Sequence, residues 1–356
     1  MSEIVEEFKI DDPHEFLKEL ELTHDNWYLK NFSFTGRYHR WIFRGQEDST
    51  WDLTFPSFRK ENEALLQSTG SIGVNVLGEE DRERYISKCL GRDDGRADLG
   101  KVDKLFLRGF QERELVELFF SNADRIGIEL PKLPEFTETK FFKVLDAMFD
   151  SQSIMKPFDP PRFFDVNETY CIARHHGLPV RLLDWSSQPM IATYFAARGV
   201  LDQPHKKFER IAVWAWGVDE RDWYRKIPGL EHYVPRTARN PNMQAQKGSF
   251  VIATGADMYY LKYGEWPSMT DLIEVAIEAF AGKYAMPILK KFTLPSKYAP
   301  QLLSHLKNEG INNAELMRTL DGAAKAVRED VGSFGSPYYH PEIEKQKKEL
   351  NDTLNA

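Results

Sequence analysis

Apolar residues along this chain follow two spacings, one helical and one extended, and the changes between them predict the elements. Phe16, Leu17 and Leu20 form one stripe. With Asp11 or Asp12 as cap and Pro13 in the first turn, they predict a helix from Asp12 to Glu21. Trp41, Ile42 and Phe43 favour extended backbone and the polar run Gln46 to Ser49 follows. A strand over Trp41 to Gly45 is therefore expected, with Arg44 at its end. A helix should start after Pro56. From Thr69 to Lys101 the chain is polar, charged and glycine-containing, the pattern of a loop or an insertion. Helical spacing returns over Lys104 to Phe120 and Thr139 to Phe149, with IELPKLPEF as a loop between them.

The second half alternates more closely. Val166 to His176 reads as a helix ending at Gly177, and Pro189 to Arg198 as a second that begins on its proline. Strands are expected at Arg210 to Trp216, Gly248 to Thr254 and Leu289 to Leu294. Helices follow at Lys297 to Glu309 and Asn313 to Glu329, before a charged tail. These elements define an α+β fold: a central mixed sheet from the segments near Ile42, Ala212, Phe250 and Lys291, covered by helices, with helix exceeding strand. The organisation expected is an N-terminal helical segment over 1–35 and one main domain over 36–330. A helical, charged insertion lies around 69–151 and a tail occupies 331–356.

Composition narrows the setting. The 356 residues are 42% hydrophobic and 13% aromatic, enough for a sizeable core with many buried rings. A formal charge of -8 disfavours non-specific attraction to nucleic acid or anionic membrane. Cys89 and Cys171 are too few for a disulfide framework or a cysteine-ligated zinc site, which fits a reduced cytoplasm. The first residues, MSEIVEEFKIDDPHEF, are acidic and polar, and no apolar run approaches ~18 residues, so no membrane span is expected.

The candidate chemistry gathers in two blocks. Arg44 is followed by a glycine that admits close backbone approach, and its guanidinium suits a two-pronged grip on phosphate or carboxylate; Gly45 and Gln46 join it as ligand-binding candidates. The other reading of Arg44 is a buried pair with Asp184. In HHGLPVRLLDW, glycine and proline fix a turn, and Arg181 and Asp184 flank two leucines. That arrangement is either an Arg181–Asp184 ion pair setting the turn or a site. In the site reading Asp184 is a general base, or orients His175 or His176, and Arg181 binds ligand. The helix end carrying both histidines favours an imidazolium. Ser186 or Ser187 could complete a serine, histidine and aspartate set, but no GxSxG elbow, P-loop, GxGxxG or HExxH pattern is present, and no metal ligands are assigned.

The blocks WIFRGQEDSTWDLTFPSFRK and ARHHGLPVRLLDWSSQPMIATYFAA, with NPNMQAQKGSFVIAT and KYAPQLLSHLKNEGINNAELMRTLDGAAKAV after them, resemble the FRG domain, a family named for its Phe-Arg-Gly signature. The resemblance runs from Trp41 to Val327. It departs from the usual pattern at Arg174, where Gln is common, and at Val180, where Thr is common. The family's setting in bacterial and mobile-element proteins implies an effector role, as toxin or antiviral protein, without fixing a chemistry. A further likeness is to the ADP-ribosyltransferase layout: Arg44 on a first strand, Ser186 in a polar turn leading to a helix, and Gln246 before a late strand would take its three places. That likeness implies NAD as a candidate substrate, although Gln246 is neutral where those enzymes carry a glutamate. Two functions therefore stand. One is a nucleotide-using enzyme with His175, His176, Asp184, Ser186 and Gln246 as catalytic candidates. The other is a non-catalytic module that recognises a nucleotide, a nucleic-acid end or an anionic partner.

Overall fold

Every side chain from Ile211 to Trp216 is buried, so this run is covered on both faces and lies in the middle of a sheet. The computed structural model describes residues 4–27, 41–69, 98–133, 167–218, 227–237, 240–279 and 289–334. In chain order its elements begin with β1 (Val5–Lys9), α1 (Pro13–Leu20), β2 (Trp41–Gln46), α2 (Glu63–Gln67), α3 (Leu99–Arg125) and α4 (Glu168–His175). The central part holds β3 (Leu182–Ser186), α5 (Pro189–Asp202), β4 (Arg210–Gly217), β5 (Leu230–Tyr233), α6 (Pro241–Ala245) and β6 (Gly248–Ala253). The remainder is α7 (Ala256–Tyr263), α8 (Met269–Ala279), β7 (Leu289–Pro295), α9 (Ala299–Asn308), α10 (Asn313–Leu316) and α11 (Leu320–Phe334).

The seven strands form one sheet in the order β1-β7-β4-β2-β3-β6-β5. β1 runs parallel to β7, and the other neighbours are antiparallel, so the sheet is mixed and helix exceeds strand, as an α+β fold requires. Side chains alternate between its faces. Phe43, Val213 and Phe292 meet α1, α5 and α9 on one face, while Ile42, Trp214 and Trp216 meet α7 and α8 on the other. Beyond the β2–β3 boundary the first face changes cover: Leu182, Phe250 and Ile252 pack under α4 and α3 through Tyr170, Cys171 and Val116. The gap between these two covers is where the candidate site lies.

Local signals explain the boundaries. Asp12 caps α1 by accepting from the backbone N–H groups of His14 and Glu15, each at 2.9 Å. Gly177 and Gly310 close α4 and α9 with φ of 94° and 77°, the left-handed conformation that favours glycine. Gly45 has another role. A Cβ there would sit 1.9 Å from the Ala192 carbonyl oxygen and 2.7 Å from the Ala196 nitrogen, so β2 and α5 approach closely only because position 45 has no side chain.

Four expectations need correction. Leu182 to Ser186 is a strand inside the sheet, not a polar turn; the turn ends at Arg181, and Leu183 and Trp185 anchor the strand on the α7–α8 face. β1 and β5 were not expected, since VEEFK and LEHY are polar edge strands stabilised by backbone pairing more than by an apolar pattern. The helix expected over Asn313 to Glu329 is broken into α10 and α11 at Met317, whose backbone is extended at φ -125° and ψ 76°. Finally, Arg181 does not pair with Asp184. Three residues apart on extended chain, the two side chains leave opposite faces. Of the expected insertion around 69–151, only Thr69 and residues 98–133, mostly α3, lie within the described residues, and the helix expected over Thr139 to Phe149 lies outside them.

Arg181 instead fixes α3 to the sheet. Its Nε and Nη2 donate to the Glu112 carboxylate at 3.0–3.1 Å, its Nη1 to Asp257 Oδ1 at 2.7 Å, and its backbone N–H to Glu112 Oε2 at 3.0 Å. Burial works against the guanidinium charge, but the two carboxylates outweigh it and hold its pKa above the ordinary range. All three side chains are buried. Among the described residues no helix is long and apolar enough to cross a membrane.

Two stability predictions follow from this packing. Gly45→Ala should cost about 3 kcal/mol or more, because the new methyl meets helix backbone that cannot move aside; urea unfolding at neutral pH measures it. Glu112→Ala should cost a similar amount, on the order of 3 kcal/mol, by stranding a buried guanidinium. An unfolding midpoint equal to that of the unaltered protein would contradict either assignment.

Candidate functional site

β2 and β3 are neighbours in the sheet but share a single register pair, Phe43 with Ser186. Past that pair the strands part, leaving a seam in the sheet. Arg44 follows Phe43 and leaves β2 on the opposite face. Its guanidinium bridges the seam, donating from Nη1 to the Asp184 carbonyl oxygen at 2.7 Å, with Asp184 Oδ2 3.7 Å away. On the other side Arg174, in the last turn of α4, donates from Nε to the same Oδ2 at 2.9 Å and from Nη1 to the Leu178 carbonyl oxygen at 3.1 Å. One carboxylate is thus shared by two guanidiniums.

A cavity of about 280 Å³ opens beside this group. Its polar side is lined by Arg44, Glu47, Arg174, His175 and Asp184. Phe43, Phe195, Met243, Phe250 and Met317 line the rest, with Gly45, Ser186 and Gln246 between. The fold therefore gathers Arg44, Gly45, His175, Asp184, Ser186 and Gln246 from three separate stretches of sequence.

Three other candidates lie elsewhere. Arg181 is enclosed with Glu112 and Asp257. Gln46 is buried on the α7–α8 face, where its Oε1 accepts from Trp214 Nε1 at 2.6 Å and its Nε2 donates to the Asp52 carbonyl oxygen. His176 is exposed and lies against Phe119, with ring centroids 5.9 Å apart. The residues that the sequence reading passed over are Arg174, Glu47 and Met317. Arg174 had a signal, since it stands where the family pattern has Gln; Met317 had none, because the sequence pattern placed it inside a helix.

The ionisation states follow from burial and partners. Burial lowers the Arg44 pKa to about 10, against the pull of Asp184, which leaves the group cationic at neutral pH. Burial alone would raise the Asp184 carboxyl, but Arg174 and then Arg44 outweigh it and hold the group below the usual 3.8. Asp184 is therefore a fixed anion. No hydrogen bond joins it to either histidine, so the geometry gives no support to Asp184 as their orienter. His175 is also not held as an imidazolium: burial, with His176 beside it, lowers its pKa below 6.5 and exceeds the opposing pull of Asp184. His176, although its surface is exposed, shifts the same way through partial desolvation of its ring.

Two buried polar atoms of the polar wall, Arg44 Nε and His175 Nε2, have no hydrogen-bond partner. Such atoms cost stability unless something else satisfies them. Ser186 and Gln246, by contrast, are committed within the protein. Ser186 Oγ donates to the Gln246 carbonyl oxygen at 2.8 Å and accepts from the Gln188 backbone N–H at 3.1 Å. The Gln246 amide donates to the Leu316 carbonyl oxygen and to Met317 Sδ, each at 3.2 Å.

The pKa shifts set a pH dependence. The unfolded chain takes up a proton on His175 near pH 6.5 that the folded chain refuses, so the stability it contributes is complete above pH 6.5 and is lost as pH falls through the lower folded value. Asp184 contributes stability above pH 3.8 and loses it as pH falls through its own depressed value. The two windows do not coincide. His175→Gln should flatten the fall in stability between about pH 7.5 and pH 5.5, read from urea midpoints across that range. An unchanged slope would show that another group carries it.

Comparison with known proteins finds a family likeness over part of this site. No curated protein and no solved structure matches the chain. The family model of the FRG domain matches residues 134–205, a narrower span than the Trp41 to Val327 resemblance. The described part of that span carries α4, β3 and α5, and with them Arg174, His175, Asp184 and Ser186; Arg44, Gln246 and Met317 reach the cavity from outside it. The segment that builds one wall of the cavity is thus the part of this chain that matches the FRG domain.

Proposed function

We propose that the cavity binds a phosphate-bearing ligand through Arg44 and Arg174. The observation that carries the reading is the shared carboxylate: two guanidiniums converge on Asp184 beside an open cavity, and Arg44 keeps a buried Nε without a partner. Arg59 lies in the same field, since Arg44 feels Arg59 and Arg174 as like charges and Arg59 feels Arg174. The carboxylates of Asp184, Glu47 and Glu61 oppose the three guanidiniums, Glu61 through an ion pair with Arg59 at 3.9 Å. Guanidiniums held in place by protein partners suit phosphate oxygens, because little side-chain freedom is lost when the ligand arrives.

A second reading, catalysis at the bound ligand, is favoured by His175. It is neutral at pH 7, faces the cavity and has a partnerless Nε2, which are the properties of a proton acceptor. An NAD-cleaving role of the ADP-ribosyltransferase type draws less support. The Ser186 hydroxyl and Gln246 amide, which would position the ribose, are occupied by internal bonds.

The test is calorimetric titration with inorganic phosphate and with adenosine 5′-monophosphate at low salt. The unaltered protein should bind, and Arg174→Gln and Arg44→Gln should each weaken binding about tenfold or more, with melting curves showing that both variants fold. Absence of binding to the unaltered protein, or equal binding by the folded variants, would overturn the proposal.

A further inference from the structure

We infer that the wall facing the guanidiniums is a seat for an aromatic base, which makes the ligand a nucleoside monophosphate rather than a phosphorylated sugar. The inference rests on the phosphate reading above and adds the identity of the other end of the ligand.

The cavity is chemically lopsided. Charge lies on the side of Arg44, Arg174 and Asp184, whereas Phe195, Met243, Phe250 and Met317 offer carbon and sulfur. A sugar would need hydrogen-bond partners for its hydroxyls on that second side. Of the lining side chains able to serve, Ser186 and Gln246 have their donors committed to the Gln246 and Leu316 carbonyl oxygens, and Ser249, whose Oγ has no partner, leaves β6 on the face opposite Phe250. What remains available is polarizable surface, which suits the face or edge of a flat ring. Phe195 is 37% exposed although it lines the cavity, so a ligand ring would cover apolar surface that is now open to water.

The placement of Met317 carries the argument further. It lies at the break between α10 and α11, far in sequence from every other lining residue, and three bonds hold the break in place. Gln246 Nε2 donates to Met317 Sδ and to the Leu316 carbonyl oxygen, and Asn242 Oδ1 accepts from the Arg318 backbone N–H at 2.9 Å. All three come from α6 or the turn that follows it. A thioether is thereby fixed at the rim by a half-buried glutamine and a neighbouring asparagine, an arrangement that core packing alone would not require. The volume agrees in scale: about 280 Å³ lies near the lower end of small-molecule sites, roughly 300 Å³, and matches one nucleotide better than a dinucleotide.

The experiment compares adenosine 5′-monophosphate, ribose 5-phosphate and inorganic phosphate as ligands of the full chain by calorimetry, then repeats the first two with Met317→Ala and Phe195→Ala. The unaltered protein should bind the nucleotide at least about tenfold tighter than ribose 5-phosphate. Each variant should lose about tenfold toward the nucleotide while its affinity for ribose 5-phosphate stays the same. Equal affinity of the unaltered protein for nucleotide and sugar phosphate would overturn the base seat and leave the phosphate site standing. Equal weakening of both ligands in folded variants would do the same. Failure of all three ligands to bind would remove the phosphate site, and the base seat with it.

Discussion

The guanidinium of Arg44 on the Asp184 carbonyl is the contact on which this site depends. β2 and β3 are neighbours with one pair between them, and a parted strand would ordinarily leave backbone groups unsatisfied. A side chain supplies what the missing strand partner would have given. That substitution lets the sheet continue from β4 to β6 while a cavity opens within its span. The same guanidinium must then do two jobs, holding the seam and facing the cavity, and its partnerless Nε is the sign that the first job leaves capacity for the second.

Arginines in this protein divide by how completely they are satisfied. Arg181 has its guanidinium enclosed by two buried carboxylates and its backbone N–H on one of them, so it links α3, the β3 entry and α7. Arg44 and Arg174 share a single carboxylate that is 38% exposed. The first arrangement is a structural ion cluster and has no room for a ligand. The second leaves two guanidiniums beside open space, the arrangement on which the proposed phosphate binding rests. From sequence the arginines look alike, and Arg181 sits much nearer the histidines than Arg44 does.

The break between α10 and α11 shows how a distant segment completes a site. Asn312 caps α10 by accepting from the Glu315 backbone N–H, and Thr319 Oγ1 accepts from the Gly322 backbone N–H at the start of α11. Two N-terminal caps seven residues apart do not belong to one continuous helix. Between them Met317 is turned out toward the cavity, and the polar residues of α6 hold it there. The polar anchor and the apolar rim are thus one device, built from a residue that a family likeness assigned to a catalytic role and one that spacing assigned to a helix.

The sequence by itself determined the α+β class, four of the five interior strands of the sheet and most helix limits. These depend on periodicity, capping residues and glycine, which act over a few neighbouring positions. It also singled out Arg44, His175, Asp184, Ser186 and Gln246, all of which line one cavity. Only the tertiary structure decided which charge meets which. Strand alternation sent Arg181 away from Asp184, the end of α4 brought Arg174 to it, and burial left His175 neutral where the helix terminus alone favours a cation. Pairing and desolvation are set by what lies across space, and a linear pattern carries that information only where it also fixes the face on which a side chain emerges.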